Sequence, residues 1–200
     1  MKFLISEKEG ISYSKFSGDY NKIHLDNLTG YNSIFGEKIC HGCYVIIKFF
    51  KYFDLEKKLL REKNFSINIS FFKHFKYNVE IKVIKKKKIY LLYQQNNIVS
   101  EIKIQFNDKN EKNISIKNNK LINTKKINLK KNSLVLILNA VSKYVGMHFP
   151  GKYSLLRSIN INFNSQFNFD QNKAIIFSKY RDKRIPKINN QLLYKNFIIE

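Results

Sequence analysis

Cys43-Tyr-Val-Ile-Ile-Lys-Phe-Phe-Lys-Tyr-Phe53 is the stretch from which the fold is read. Val45, Ile46, Phe49, Phe50 and Phe53 recur at three- and four-residue spacing, the period of a helix. Lys48, Lys51 and the pair Lys57-Lys58 fall off that face. The spacing predicts a helix over residues 43–60, buried around most of its girth in its first half. Downstream the period drops to two. Phe65-Ser-Ile-Asn-Ile-Ser-Phe71 alternates apolar and polar, as does Tyr77-Asn-Val-Glu-Ile-Lys-Val-Ile84. Ile89–Tyr93 and Ile98–Phe106 follow, joined by a turn at Gln94–Asn97. A buried helix followed by an antiparallel meander is an α+β layout, with the sheet wrapped around a long central helix.

Working outward, residues 1–15 read as a lead-in strand or helix. Residues 16–43 read as loop, punctuated by Gly18, Asn21, Asn27, Gly30, Asn32 and Gly36, with a short helix started by Asp26. On the other side, residues 108–132 are rich in Asn and Lys and read as a linker or surface loop. Then the grammar returns. Leu134–Val145 is a second apolar helix, Tyr153–Phe163 a strand like that at 65–71, and Ala174–Tyr180 another. The reading is a first domain at 1–107 and a partial second repeat at 133–200, incomplete because its last two strands find no counterpart.

Composition narrows the class. A chain of 200 residues with 44% hydrophobic residues, 17 Phe and 12 Tyr has enough to build a sizeable core. The net charge of +22 admits two readings, an anionic partner or a coding bias toward Lys, Asn and Ile. The basic residues are spread along the chain apart from Lys85–Lys88, and the arginines are few (Arg61, Arg157, Arg181, Arg184), which favours the bias and speaks against specific nucleic-acid binding. No run of apolar residues is long enough for a membrane span, and Met1–Glu9 is too short an apolar segment for a signal peptide. With 2 Cys there is no disulfide framework, and a cytoplasmic, reduced protein is expected.

Chemistry concentrates in Phe16-Ser-Gly-Asp19-Tyr-Asn21-Lys-Ile-His24-Leu-Asp26 and Phe35-Gly36-Glu-Lys-Ile-Cys-His41-Gly42. Asp19 and His24 stand five apart in a turn, which can aim both into one cleft, where they would hold a water and move its protons. The plainer reading is a turn Asp bonding its own backbone beside an exposed His. Asn21 would orient the pair, or simply serve the turn. His41-Gly42 opens the buried helix, where unpaired N–H groups attract developing negative charge and glycine admits close approach. The plainer reading there is a loop-to-helix junction. Cys40-His-Gly-Cys43 has no second Cys pair for a zinc site and no βαβ context for redox work, so no metal is expected.

Ser17-Gly-Asp-Tyr-Asn-Lys-Ile-His-Leu-Asp26, with Phe35-Gly36 and Ile39-Cys-His-Gly42 in register, resembles the signature of the MaoC-like family, the (R)-specific enoyl-CoA hydratases of the hot-dog fold. Their pattern runs Ser-Gly-Asp-x-Asn-Pro-Ile/Leu-His-x-Asp, Phe-Gly, Ile-x-His-Gly. The resemblance covers residues 1–107 well and 134–195 more weakly. It implies a hydro-lyase that adds or removes water at a 2-enoyl/3-hydroxyacyl thioester of coenzyme A or an acyl carrier protein, with no cofactor. Asp19 and His24 would handle the water's protons, with Asn21 fixing the pair. The Gly42 N–H would hold the thioester oxygen, and His41, Ser17 and Phe35 would complete the binding site. Hot dogs of this family pair, within one chain or as a homodimer. The family Pro after Asn is Lys22 here, and the Pro of its later Phe-x-x-Pro-Val turn is Phe75 or Lys76. A non-catalytic acyl-thioester-binding or scaffold protein is the alternative.

Overall fold

The computed structural model describes residues 1–106, 123–128, 133–148, 156–165, 173–182, 187–194 and 197–199. The chain opens with a short strand, β1 (Lys2–Phe3), and a helix, α1 (Glu7–Ser17). A capping box starts α1. The Glu9 N–H donates to Ser6 Oγ at 3.2 Å, and the Ser6 N–H donates to the Glu9 carboxylate at 2.8 Å. Gly18 ends it in the left-handed region, φ 75°, where its N–H donates to Ser14 O at 2.8 Å. Phe16 and Ser17 therefore belong to a helix, not to the loop expected from residue 16. The helix is mostly polar, so its signal lay in the caps rather than in apolar period.

A 3₁₀ turn (Lys22–His24) and α2 (Asn27–Tyr31) follow. Asp26 caps α2 as expected, accepting the Thr29 N–H at 2.7 Å. The buried helix divides into α3 (Gly42–Tyr52) and α4 (Leu55–Leu59), because Asp54 takes a left-handed conformation, φ 49°. Along α3, Cys43, Val45, Ile46, Ile47, Phe49 and Phe50 are all buried, each large apolar side chain stabilising the fold by about 1.5–3 kcal/mol.

The first strands are β2 (Asn64–Phe71), β3 (Ile81–Lys86), β4 (Ile89–Gln94) and β5 (Asn97–Phe106). Lys85 and Lys86 end β3 and Lys87 and Lys88 turn it into β4, all four exposed, and Gln95 and Asn96 turn β4 into β5 with positive φ at both positions. β3 starts four residues later than its alternation suggests. The buried Gln94 side chain occupies the backbone there instead, accepting the Lys76 N–H at 2.9 Å and donating to Lys76 O at 3.1 Å and Val79 O at 3.0 Å.

Beyond residue 107 come β6 (Asn123–Asn128), α5 (Leu134–Met147), β7 (Ser158–Asn164), β8 (Lys173–Asp182), β9 (Lys187–Tyr194) and β10 (Phe197–Ile199). β6 falls inside the segment read as linker, and two strands, β9 and β10, follow where none was assigned. Residues 153–155 of the expected strand, and 107–122 and 129–132, lie outside the described residues. Among the described residues the strands join one antiparallel sheet of ten, in the order β1-β3-β4-β5-β2-β7-β10-β9-β8-β6.

The seam is β2 against β7. Phe65, Ile67 and Ile69 pair in register with Phe163, Ile161 and Ile159, and the Phe65 and Phe163 rings stack at 4.9 Å. This apolar face carries both α3 and α5, whose buried residues share one cluster with it. The molecule is thus α+β, an antiparallel sheet with helices packed on it. No helix among the described residues is long and apolar enough to cross a membrane.

Candidate active site

Asp19, Asn21 and His24 sit where α1 has just ended, and local hydrogen bonds shape the turn that carries them. The Asp19 N–H donates to Ser17 Oγ at 3.2 Å, and the Asn21 N–H donates to Asp19 Oδ1 at 3.2 Å. Asn21 Oδ1 then accepts the Ile23 N–H at 3.4 Å, while Lys22 O accepts from Leu25 at 3.0 Å and Asp26 at 2.8 Å. The turn therefore closes with Lys22 where the resemblance has Pro; the Asn21 side chain and the Lys22 carbonyl hold it. Asp19 and Asn21 are almost fully buried; Asp19 does bond the backbone of its own turn, as the plainer reading has it, but His24 is half-buried rather than exposed.

His24 Nδ1 lies 3.0 Å from Ile39 O. A carbonyl oxygen only accepts, so Nδ1 carries the hydrogen and Nε2 keeps a free lone pair. Burial lowers the His24 pKa below the ordinary histidine value, against an upward pull from Asp19, and the ring is neutral at neutral pH. The loop ahead of α3 is pinned to this turn by Ile39 N–H to Ile23 O, 3.2 Å, and to the strand side by Cys40 N–H to Phe75 O, 2.7 Å.

Gly42 is the first residue of α3, with His41 as its N-cap. The first N–H groups of a helix have no acceptor inside it, and Gly42 and Cys43 line the cleft. A Cβ on Gly42 would come within 3.1 Å of the Phe71 ring, so glycine is what lets β2 pack over the helix start. His41 turns inward. Its Nε2 donates to Asp19 O at 3.3 Å and lies 3.2 Å from Ser14 Oγ, and its ring stacks on His24 at 3.9 Å. Burial, then the neighbouring His24, push its pKa down to about 2. Ser17 supports the turn from behind and is not among the residues lining the cleft, whereas Phe35 lines it and packs on His74 at 4.9 Å.

These groups border one cleft of about 250 Å³, walled by Phe71, Phe75, Val145 and Leu156, with Lys73 and Arg157 among its lining residues. Helix α5 supplies part of this wall, through Ser142, Val145 and Gly146, of which the sequence reading assigned none to the site. Ser142 donates to Asp19 Oδ2 at 2.6 Å, and a Cβ on Gly146 would collide with the Asp19 carboxylate. The signal was present: Asn139, Ser142 and Gly146 interrupt an apolar helix at spacings of three and four, so they share one face.

One ligand atom each from Asp19, His24 and His41 lies within 4.8 Å of the others, a distance that invites a metal. Each ring already makes one hydrogen bond to a backbone carbonyl, His24 Nδ1 to Ile39 O and His41 Nε2 to Asp19 O, which leaves one nitrogen on each. Cys40 and Cys43 are free and buried, and burial pushes both thiols far above the ordinary cysteine value, which leaves them unreactive.

The fold is that of the MaoC-like dehydratases. The structure of a MaoC-like dehydratase from Phytophthora capsici superimposes with a TM-score of 0.55 at 9% identity, over 100% of this chain and 93% of that one. An (R)-hydratase from A. caviae involved in PHA biosynthesis matches 52% of this chain and 89% of its own, at 17% identity and a TM-score of 0.39. Full-length peroxisomal multifunctional enzyme type 2 from Drosophila melanogaster matches all of this chain and 46% of its own, at 9% identity and a TM-score of 0.48. No protein-family model and no curated protein sequence matches this chain.

Proposed function

We propose that this chain is a hydratase/dehydratase acting on a 2-enoyl/3-hydroxyacyl thioester. The observation that carries the proposal is the convergence of the buried Asp19 carboxylate and a neutral His24 with a free Nε2, beside the N-terminus of α3. In hydration, a water held between Asp19 and His24 gives up a proton to the pair as its oxygen bonds Cβ. The pair returns a proton to Cα, so one water adds across the double bond. Charge that develops on the thioester oxygen meets the Gly42 N–H, a kind of donor worth roughly 10²–10³ in rate. Lys73 and Arg157 suit the anionic carrier of the thioester, coenzyme A or an acyl carrier protein. The acyl chain fits the wall of Phe71, Phe75, Val145 and Leu156.

In this reading the second half repeats the five strands and the central helix of the first. Counting outward from the seam, β2-β5-β4-β3-β1 matches β7-β10-β9-β8-β6, and α5 stands where α3 does. The copy lacks the Asp/His motif and serves as partner and wall, which supports pairing within the chain.

Crotonyl-CoA hydration, followed by loss of enoyl absorbance, tests the proposal. Turnover by the wild type that collapses at least 10²-fold in both Asp19→Asn and His24→Ala is expected. Tight binding of crotonyl-CoA without turnover would point instead to a thioester-binding protein.

A further inference from the structure

Asp19 belongs to the first half of the chain, yet its carboxylate is gripped by α5, 123 residues further along. The two oxygens are held from different sides. Oδ1 accepts the Asn21 N–H at 3.2 Å, a bond within its own turn. Oδ2 accepts the Ser142 hydroxyl at 2.6 Å, the short length of a hydroxyl bonded to a charged acceptor. Ser142 is itself buried, so no water competes for that bond. One turn along α5, the bare backbone of Gly146 makes the space that the carboxylate fills. Take away the Ser142 bond and only the contact within the turn remains, which leaves the carboxylate free to rotate away from His24.

We propose that Ser142 is a positioning residue: its hydroxyl fixes the rotation of the Asp19 carboxylate toward His24, and so makes the second half of the chain part of the working site. This rests on the hydratase reading for its rate measurement, because the effect is exerted through Asp19 on the water it holds. Misplacing a reacting group by about an ångström can cost on the order of 10²-fold in rate.

The test uses the full chain. Ser142→Ala is expected to lower kcat for crotonyl-CoA by roughly 10- to 100-fold, with KM and melting temperature close to wild type. Ser142→Thr, which keeps the hydroxyl, should restore most of the rate. The double variant Asp19→Asn/Ser142→Ala should be no slower than Asp19→Asn alone, since a residue acting through Asp19 has nothing left to position. Wild-type kcat in Ser142→Ala would overturn the proposal. So would a joint fall of kcat and melting temperature that Thr does not relieve. Hydrogen exchange gives an arm independent of turnover. Amides of residues 19–24 should exchange faster in Ser142→Ala while those of α3 do not, and unchanged exchange there refutes the clamp. An inactive wild type with that exchange difference present would overturn the hydratase reading and leave the clamp standing.

Discussion

At the scale of single residues, the site is built from groups whose burial holds them in one protonation state. His41 is the extreme case. It is enclosed by Ser14, Tyr13 and His24, and its pKa is pushed down to about 2 by burial first and then by the neighbouring His24. The folded chain therefore keeps this ring neutral, while the unfolded chain protonates it below about 6.5. Because the unfolded state binds the extra proton, the contribution of His41 is fully present above pH 6.5 and is lost as pH falls toward 2. Urea unfolding between pH 7.5 and 5 should show stability falling by about 1.4 kcal/mol per pH unit below 6.5 from this ring alone. His41→Asn should flatten that slope, and an unchanged slope would mean the ring is not held neutral. The Asp19, Asn21, His24 and Gly42 cluster was legible in the sequence because all of it lies within one short span, where turn chemistry and a helix start are local matters. Ser142 was not, because a serine in an apolar helix declares a partner only when the partner is in place.

At the scale of elements, α1 shows how a support distant from the chemistry matters. It presents Ser14 to His41 and Ser17 to Asp19, so its end must stop in register with the turn that carries Asp19 and His24. Its start depends on the Ser6–Glu9 box, reinforced by the ion pair of Glu9 with Lys48 of α3. Ser6→Ala should destabilise the chain by about 1 kcal/mol, seen as a lower urea midpoint at unchanged m-value. If the midpoint does not move, the capping box is not holding the helix. The strands from β2 to β5 followed from local pattern, alternation for the first two and apolar runs joined by a turn for the last two. The start of β3 did not, since alternation runs through Tyr77–Glu80 while the Gln94 side chain takes the hydrogen bonds a neighbouring strand would have made.

At the scale of the molecule, the seam between β2 and β7 makes one sheet of the two halves. Phe163 sits against Phe65 at 4.9 Å and Phe197 at 4.8 Å, and is buried. Phe163→Ala should destabilise by about 3–5 kcal/mol. Helix and sheet signals should then fall in a single, earlier thermal transition, as one continuous core requires. A wild-type midpoint, or two separate transitions, would show that the halves stand independently.

What the sequence by itself determined is whatever depends on near neighbours: the apolar period of α3, the alternation of β2, the cap at Asp26, and the spacing that puts Asp19 and His24 in one turn. Those follow from backbone geometry and side-chain type within a few residues. Tertiary structure alone decided that Ser142 grips Asp19, that Gly146 makes room for it, and that β2 and β7 close one sheet. Each of these is a contact across a large separation in sequence, 123 positions for Ser142 and Asp19. Such contacts leave at most a one-sided trace in the chain, such as the polar and small residues at 139, 142 and 146 on one face of α5, because neither side names its partner.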